Sequence, residues 1–387
     1  FITYALAGVL IIMVIRMLAE MAVANPSTGS FADYSRNALG NWAGFSVGWL
    51  YWYFWIVVVP IEAIAGAQIL QQWIDLPMWQ IGLALMAVMT AVNLLSARSY
   101  GEFEFWFSSI KVAAIIAFIL VAAAFAFGLT SPHGATFANL TDHGGFAPKG
   151  WVPVVATVTT VFFSLVGAEI TTVAAAESKE PEKAVVRMAT TITWRILLFY
   201  VVSLGLIVCV VAWPMVKPGE SPFTLALNVM GFKWGSAVMS FIILTAVLSC
   251  LNSAVYVCSR VLHVMADRGD APRWLAEVNS QRVPARSILL GSLVGVIGVV
   301  IAIVSPNRVF AFLISTTGTV ILFVYLMTAV AHIRLRRRHP ETETKAVRVW
   351  LFPWLSYVTI GGMVAVLVAM AMTPGLASQF YFSLLTL

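Results

Sequence analysis

One pattern repeats along residues 1–372: an apolar run long enough to cross a bilayer, then a short polar interruption, several of them carrying proline or glycine. A spanning helix needs about 20 apolar residues. In lipid, only helices and closed barrels satisfy their own backbone hydrogen bonds. A barrel would require alternating strands of roughly ten residues, whereas these runs are longer and do not alternate. The chain therefore reads as all-α and polytopic. Spans are predicted at 1–24, 42–70, 78–95, 105–129, 151–175, 188–213, 236–262, 288–304, 309–333 and 350–372, with a stub at 379–387 too short to cross. Hydrophobic residues make up 60% and charged residues 10% of the 387, against about 25% charged in soluble domains. Such a sequence cannot coat a sizeable soluble domain.

Charge sets the orientation. Seventeen of the 23 Lys and Arg fall in alternate loops on one side, from Arg36 and Arg98 through the run Arg334 to Arg338 and on to Arg348. The other side holds Lys149, Lys217, Lys233 and Arg308, which makes the first side cytoplasmic. The net charge of +6 is thus a topology signal rather than a nucleic-acid footprint. It places a multi-pass protein in a cell membrane, most simply the bacterial inner membrane. Asn139-Leu140-Thr141 is a glycosylation sequon in the longest external loop, a weak match. Phe1 already lies in an apolar run and no Met precedes it, so the expectation is a chain lacking an N-terminal segment and also cut at its C-terminus. Cys209, Cys250 and Cys258 lie in apolar runs without metal-ligand spacing, and the five histidines sit in loops or near span ends. Neither a disulfide framework nor a metal or other cofactor is expected.

Ionisable residues within spans persist when they have a partner or a task, because each costs about 2.5–3.5 kcal/mol at mid-helix. Arg16, Glu20, Glu62, Lys111 and Glu169 qualify. Arg16 and Glu20 are four apart near the cytoplasmic end of a span, and their spacing predicts a local ion pair. Glu62 follows Pro60, whose kink makes room for a buried carboxyl; the residues leave a functional acid and a structural, protonated one equally open. Lys111 lies about two turns inside its span, either as a proton carrier or snorkelling to the cytoplasm. Phe162 to Glu169 mixes small and polar residues with two aromatics and an acid. That composition fits a helix broken at mid-membrane, where free backbone groups can hold the ends of an amino acid, or a small-residue packing face. Ser249-Cys250-Leu251-Asn252-Ser253 and Ser315-Thr316-Thr317-Gly318-Thr319 can each line a pathway or join helices by hydrogen bonds. The arginine run at 334–338 ends a span and sets topology, with lipid headgroup binding as a secondary reading.

At these residues the sequence resembles the amino acid permeases of the amino acid, polyamine and organocation superfamily. The resemblance is carried by Arg16 to Ala22 with Pro26 and Thr28-Gly29-Ser30-Phe31, by Gly48-Trp49-Leu50-Tyr51-Trp52, by Gly167 to Glu177 with Pro181, and by Leu248 to Arg260 running into Ala266 to Pro272. Within the family it is most similar to 4-aminobutyrate (GABA) permeases, through Val59 to Ala63, Gly101 to Trp106 and Ser249 to Ser253. The resemblance implies a single transmembrane permease domain, 1–387, of the kind with two inverted five-helix repeats. Residues 1–129 would be the remainder of the first repeat, 151–333 the second, and 350–387 accessory helices. It also implies that the family's first helix, with its glycine-rich carboxylate-binding turn, is missing, so that this piece would not transport alone. About eleven of twelve segments would be present. Gln281-Arg282-Val283-Pro284 departs from a family pattern that often has Gly before Val-Pro.

The expected function is proton-coupled uptake of GABA or a close analogue by alternating access. Phe163 would gate the site, backbone at Ser164 and Gly167 would meet substrate, Glu62, Glu169, Asn252 and Ser253 would shape it, and Lys111 would cycle the proton, the role that the resemblance implies for a lysine in that helix. The partners are then a small amino acid, a proton and the bilayer, with no nucleic acid and no obligate protein partner. Another neutral or cationic amino acid is the alternative substrate, and a channel is a further class. A membrane enzyme would need a nucleophile with its base, or a metal set facing a cavity, and the sequence offers neither.

Overall fold

The computed structural model describes residues 2–25, 30–95, 97–132, 134–167, 169, 181–217, 221–232, 234–280, 283–303, 306–338, 348–373 and 376–385. Its helices are α1 (Ile2–Ala24), α2 (Ser30–Leu39), α3 (Asn41–Leu70), α4 (Met78–Leu95), α5 (Ala97–Ala126), α6 (Trp151–Ala156), α7 (Val158–Leu165) and α8 (Pro181–Ile196). They continue as α9 (Ser203–Val210), α10 (Pro222–Val229), α11 (Gly235–Asp267), α12 (Ala285–Ile301), α13 (Pro306–Arg338), α14 (Trp354–Met372) and α15 (Ala377–Leu385). The π-helical turn Leu197–Val202 joins α8 to α9. Among the described residues eight helices are long and apolar enough to cross a membrane, and two shorter apolar ones, Trp151–Leu165 and Ala285–Ile301, accompany them.

The centre of the bundle is α3, packed by α2, α4, α11, α12 and α13. Its residues 54–64 are all buried, which fits a helix apolar on every side. Outward-facing side chains are apolar too: Leu120 is 66% and Leu129 80% exposed, a surface suited to lipid. Asn139 of the sequon donates from Nδ2 to the Cys209 carbonyl at 2.8 Å, so its amide already serves the external end of the fold.

Among the departures from the predicted spans, three stand out. Helix α5 begins at Ala97, eight residues before the predicted span, and so carries Glu102 and Glu104. Helix α2 occupies a predicted loop and docks by ion pairs: Asp33 with Arg268 and Arg36 with Asp270. Trp49 Nε1 adds a bond to the Asp270 carbonyl at 3.2 Å. The third is the predicted span 151–175, whose helix stops at Leu165; residues 170–175 lie outside those described.

Arg16 and Glu20 stay within electrostatic reach of each other, but each makes its close contacts with longer-range partners. Glu20 is 7% exposed and meets Arg336 Nη1 at 3.1 Å and His332 Nε2 at 3.3 Å. It also accepts from Val349 N at 2.8 Å. Arg16 turns instead to the Trp350 ring, 4.0 Å from its centroid, and to the Arg348 carbonyl. A carboxylate in the bundle gains more from a guanidinium plus a backbone N–H than from a flexible neighbour one turn away. Glu20→Ala takes from Arg336, whose side chain is 6% exposed, the carboxylate that it meets at 3.1 Å. The expected cost is about 3–5 kcal/mol, read as a lower melting temperature of the purified protein, with Glu20→Gln between.

The Ser315–Thr319 stretch serves packing where it is described. Thr317 and Thr319 are fully buried, and Gly318 lets α13 lie directly on the backbone of α7. A Cβ there would collide with the Thr159 carbonyl oxygen. Gly318→Ala should therefore lower the melting temperature by an overpacking cost of about 1–3 kcal/mol. Gly361→Ala, whose Cβ would meet nothing within 4 Å, is the control expected to change little.

Candidate substrate and coupling site

Helix α7 ends because Val166 turns extended, at φ −68° and ψ 154°, and Gly167 follows at φ +101°, a conformation that favours glycine. The break frees backbone groups that an intact helix would consume. A buried acid takes one of them: Glu169, 1% exposed, accepts from Gly167 N at 2.9 Å. Its carboxylate also accepts from the hydroxyls of Tyr51, at 3.1 Å, and Tyr325, at 3.2 Å. Residues from α3, α13 and the break thus meet at one carboxyl group. Tyr200, in the π-helical turn, donates to the Ser164 carbonyl at 2.9 Å, anchoring the other side of the break. Phe163 stacks at a tilt on Phe54, with centroids 6.2 Å apart, and Phe162 packs on Tyr325.

A second polar group lies between α5 and α11. Lys111 Nζ donates to Ser249 Oγ at 2.7 Å, and Ser249 Oγ lies 2.7 Å from both oxygens of Glu104. The ammonium is 3.8 Å from Glu104 Oε1. Ser108 and Ser253 also donate to Glu104, at 3.2 and 3.3 Å. Glu104 and Lys111 are seven positions apart, two turns on one face, and both side chains are about a quarter exposed. Lys111 is therefore held within the bundle by hydrogen bonding.

Helix α3 links the two groups. Tyr51, Trp55 and Glu62 share one face: Tyr51 holds Glu169, Trp55 lies beneath Gly167, and Glu62, 8% exposed, sits against Cys250 within electrostatic reach of Lys111. The sequence-predicted residues accordingly divide. Phe163, Ser164, Gly167 and Glu169 gather at the break; Lys111, Ser253 and Glu62 gather around Ser249 and Cys250. Asn252 joins neither, since its Oδ1 accepts from Asn93 Nδ2 of α4 at 2.9 Å. Sequence reading did not select Glu104, Tyr200 or Tyr325 as site residues. Glu104 had a signal in its two-turn spacing from Lys111; Tyr325 had none, because it comes from a helix 156 positions beyond its partner. Among the described residues no cluster of His, Cys, Asp and Glu could hold a metal ion.

Residues 1–386 match the profile of the family described as amino acid permease. The chain belongs to that family. It is 43% identical over 384 residues to the gamma-aminobutyric acid permease of Bacillus subtilis, covering 98% of this chain and 81% of the relative. The corresponding permease of Escherichia coli is 41% identical over 378 residues, with 96% and 80% covered. The aromatic amino acid transport protein AroP of Corynebacterium glutamicum is 36% identical over 375, with 94% and 81% covered. In fold the permease is similar to the manganese transporter of Eremococcus coleocola, with a TM-score of 0.61 at 13% identity over 99% of this chain and 84% of that one. The polytopic, all-α transporter architecture and the membrane location expected from the sequence stand, and relatives and fold alike are those of transporters rather than enzymes.

Proposed function

We propose that this permease carries GABA, or a closely related small amino acid, inward together with a proton by alternating access. The observation that carries the reading is the pairing of two polar groups across α3: a helix broken at Gly167 beside the buried Glu169, and a partly buried amine held by Ser249 and Glu104. Free N–H and C=O groups at a mid-bundle break are suited to the carboxylate and ammonium ends of an amino acid. Lys111 is the proton carrier and Glu104 its counter-ion: the protonated amine is attracted to the carboxylate, and the neutral amine is not. Phe163 covers the break, Glu169 fixes its shape, and Glu62 and Ser253 tune the lysine. Each ligand biases the conformational equilibrium by its differential affinity for the two states. The similarity to GABA permeases supports the substrate assignment.

Uptake of labelled GABA by the permease reconstituted with the expected N-terminal helix restored, competed by a panel of unlabelled amino acids, tests the substrate. Competition by GABA and short ω-amino acids is expected. Stronger competition by aromatic amino acids would transfer the substrate to the class named in the Corynebacterium relative. Counterflow of label from preloaded vesicles is expected of a carrier, and conductance without counterflow would mark a channel.

A further inference from the structure

At the cytoplasmic ends of α13 and α14 a groove of about 440 Å³ is lined by Val330, Ile333, Arg334, Arg337, Arg338, Tyr357 and Ile360. Its size lies within the roughly 300–1,000 Å³ of small-ligand sites. Its two halves differ in chemistry. Three arginines at i, i+3 and i+4 share one helix face and are exposed, while valine and isoleucines form the walls. Tyr357 bridges the halves: its hydroxyl lies 2.7 Å from Arg337 Nη2. Arg338 Nη1 donates to the Asn37 carbonyl at 3.2 Å, which pins the cluster to the cytoplasmic end of α2. No acidic side chain lines the groove among the described residues.

The topology rule explains why arginines end α13, but not why they converge on an apolar-walled groove capped by a tyrosine. The outward face of α14 supplies the missing part. Trp354, Tyr357, Val358, Val364 and Val368 are all exposed, between 42% and 74%, and they run from the arginines along the helix toward mid-bilayer. A ligand with an anionic head and an apolar tail would lay the head among the guanidinium groups and the tail along this stripe. We propose that the groove is a binding site for an anionic phospholipid of the cytoplasmic leaflet, its phosphodiester held by Arg334, Arg337 and Arg338 and its acyl chain by α14. Guanidinium forks match phosphate oxygens in geometry as well as charge, and basic pockets between helices on the cytoplasmic side are suited to such headgroups.

Native mass spectrometry of the purified permease with phosphatidylglycerol and phosphatidylcholine of equal chain length tests the site. The wild type is expected to retain phosphatidylglycerol at least tenfold better, and the R334Q/R337Q/R338Q variant to lose the preference. A variant with the same charge removed elsewhere, R187Q/R195Q/R286Q, should keep it. Equal loss in both variants, or no preference in the wild type, overturns the site in favour of general surface charge or of none. Displacement of the lipid by millimolar inorganic phosphate would make this a soluble-phosphate site and equally overturn the lipid assignment. If the glutamine variant is not recovered, R337K/Y357F preserves charge and topology while removing the fork and its hydroxyl. It should lower the preference about threefold or more; an unchanged preference would contradict the geometry.

Discussion

Lys111→Ala is expected to abolish proton-driven accumulation of substrate while leaving exchange of label across the membrane measurable. One pH unit holds about 1.4 kcal/mol per proton, enough for a one-proton carrier to accumulate substrate about tenfold. Without the amine, the proton carrier proposed on α5 is gone, and the internal-to-external ratio should settle near one at any imposed gradient. The neighbouring acid gives a second arm. Glu104→Gln keeps one acceptor oxygen, for Ser249 and for either Ser108 or Ser253, but removes the negative charge 3.8 Å from the ammonium. Losing the attractive charge weakens the hold on the protonated amine, so proton-driven accumulation should fall, and Glu104→Asp should restore part of it. A purely structural role for Glu104 would lower label exchange and accumulation in the same proportion.

Glu169→Ala is expected to remove transport almost entirely, through loss of the broken-helix geometry. Three donors, Gly167 N and the hydroxyls of Tyr51 and Tyr325, converge on this carboxyl group. A buried hydrogen bond contributes about 0.5–1.5 kcal/mol, and buried donors left without an acceptor add a desolvation cost of about 1–3 kcal/mol. A loss of even 2 kcal/mol in positioning corresponds to about a 30-fold fall in kcat/KM, and the three bonds act as a unit, so the fall should exceed that. Glu169→Gln retains an acceptor oxygen and should fall between. Tyr51→Phe combined with Glu169→Ala should cost less than the sum of the two single changes, because both delete the same bond. Strict additivity would mean that the tyrosine and the acid act separately.

What could be read from the sequence follows the range of the interactions. The spans were legible because length and apolar character are properties of contiguous residues, and lipid admits few alternatives to a helix. The break near Gly167 was legible for a similar local reason: small and polar residues cannot sustain an apolar crossing. The start of α5 was not, because Glu102 and Glu104 resemble loop residues, and Glu104 finds its partners Ser249 and Lys111 only in the folded bundle. Helix α2 was missed because its ten residues hold too short an apolar stripe to stand out, and its ion pairs lie on the far end of α11. Glu20 shows the limit most clearly. Its spacing from Arg16 suggested a partner one turn away, yet the fold supplies Arg336, 316 positions along the chain. Tyr325 reached Glu169 in the same way, through α13 lying on α7 at Gly318.

The central claim is that substrate and proton cross together by way of Lys111. It is tested most directly by placing reconstituted permease vesicles in weakly buffered medium, clamping the membrane potential at zero, adding GABA outside, and recording external pH. Alkalinisation of the medium that saturates with GABA, and that is absent in Lys111→Ala vesicles still able to exchange label, is the predicted result. GABA entry without any pH change, or with the same pH change in the lysine variant, would contradict it.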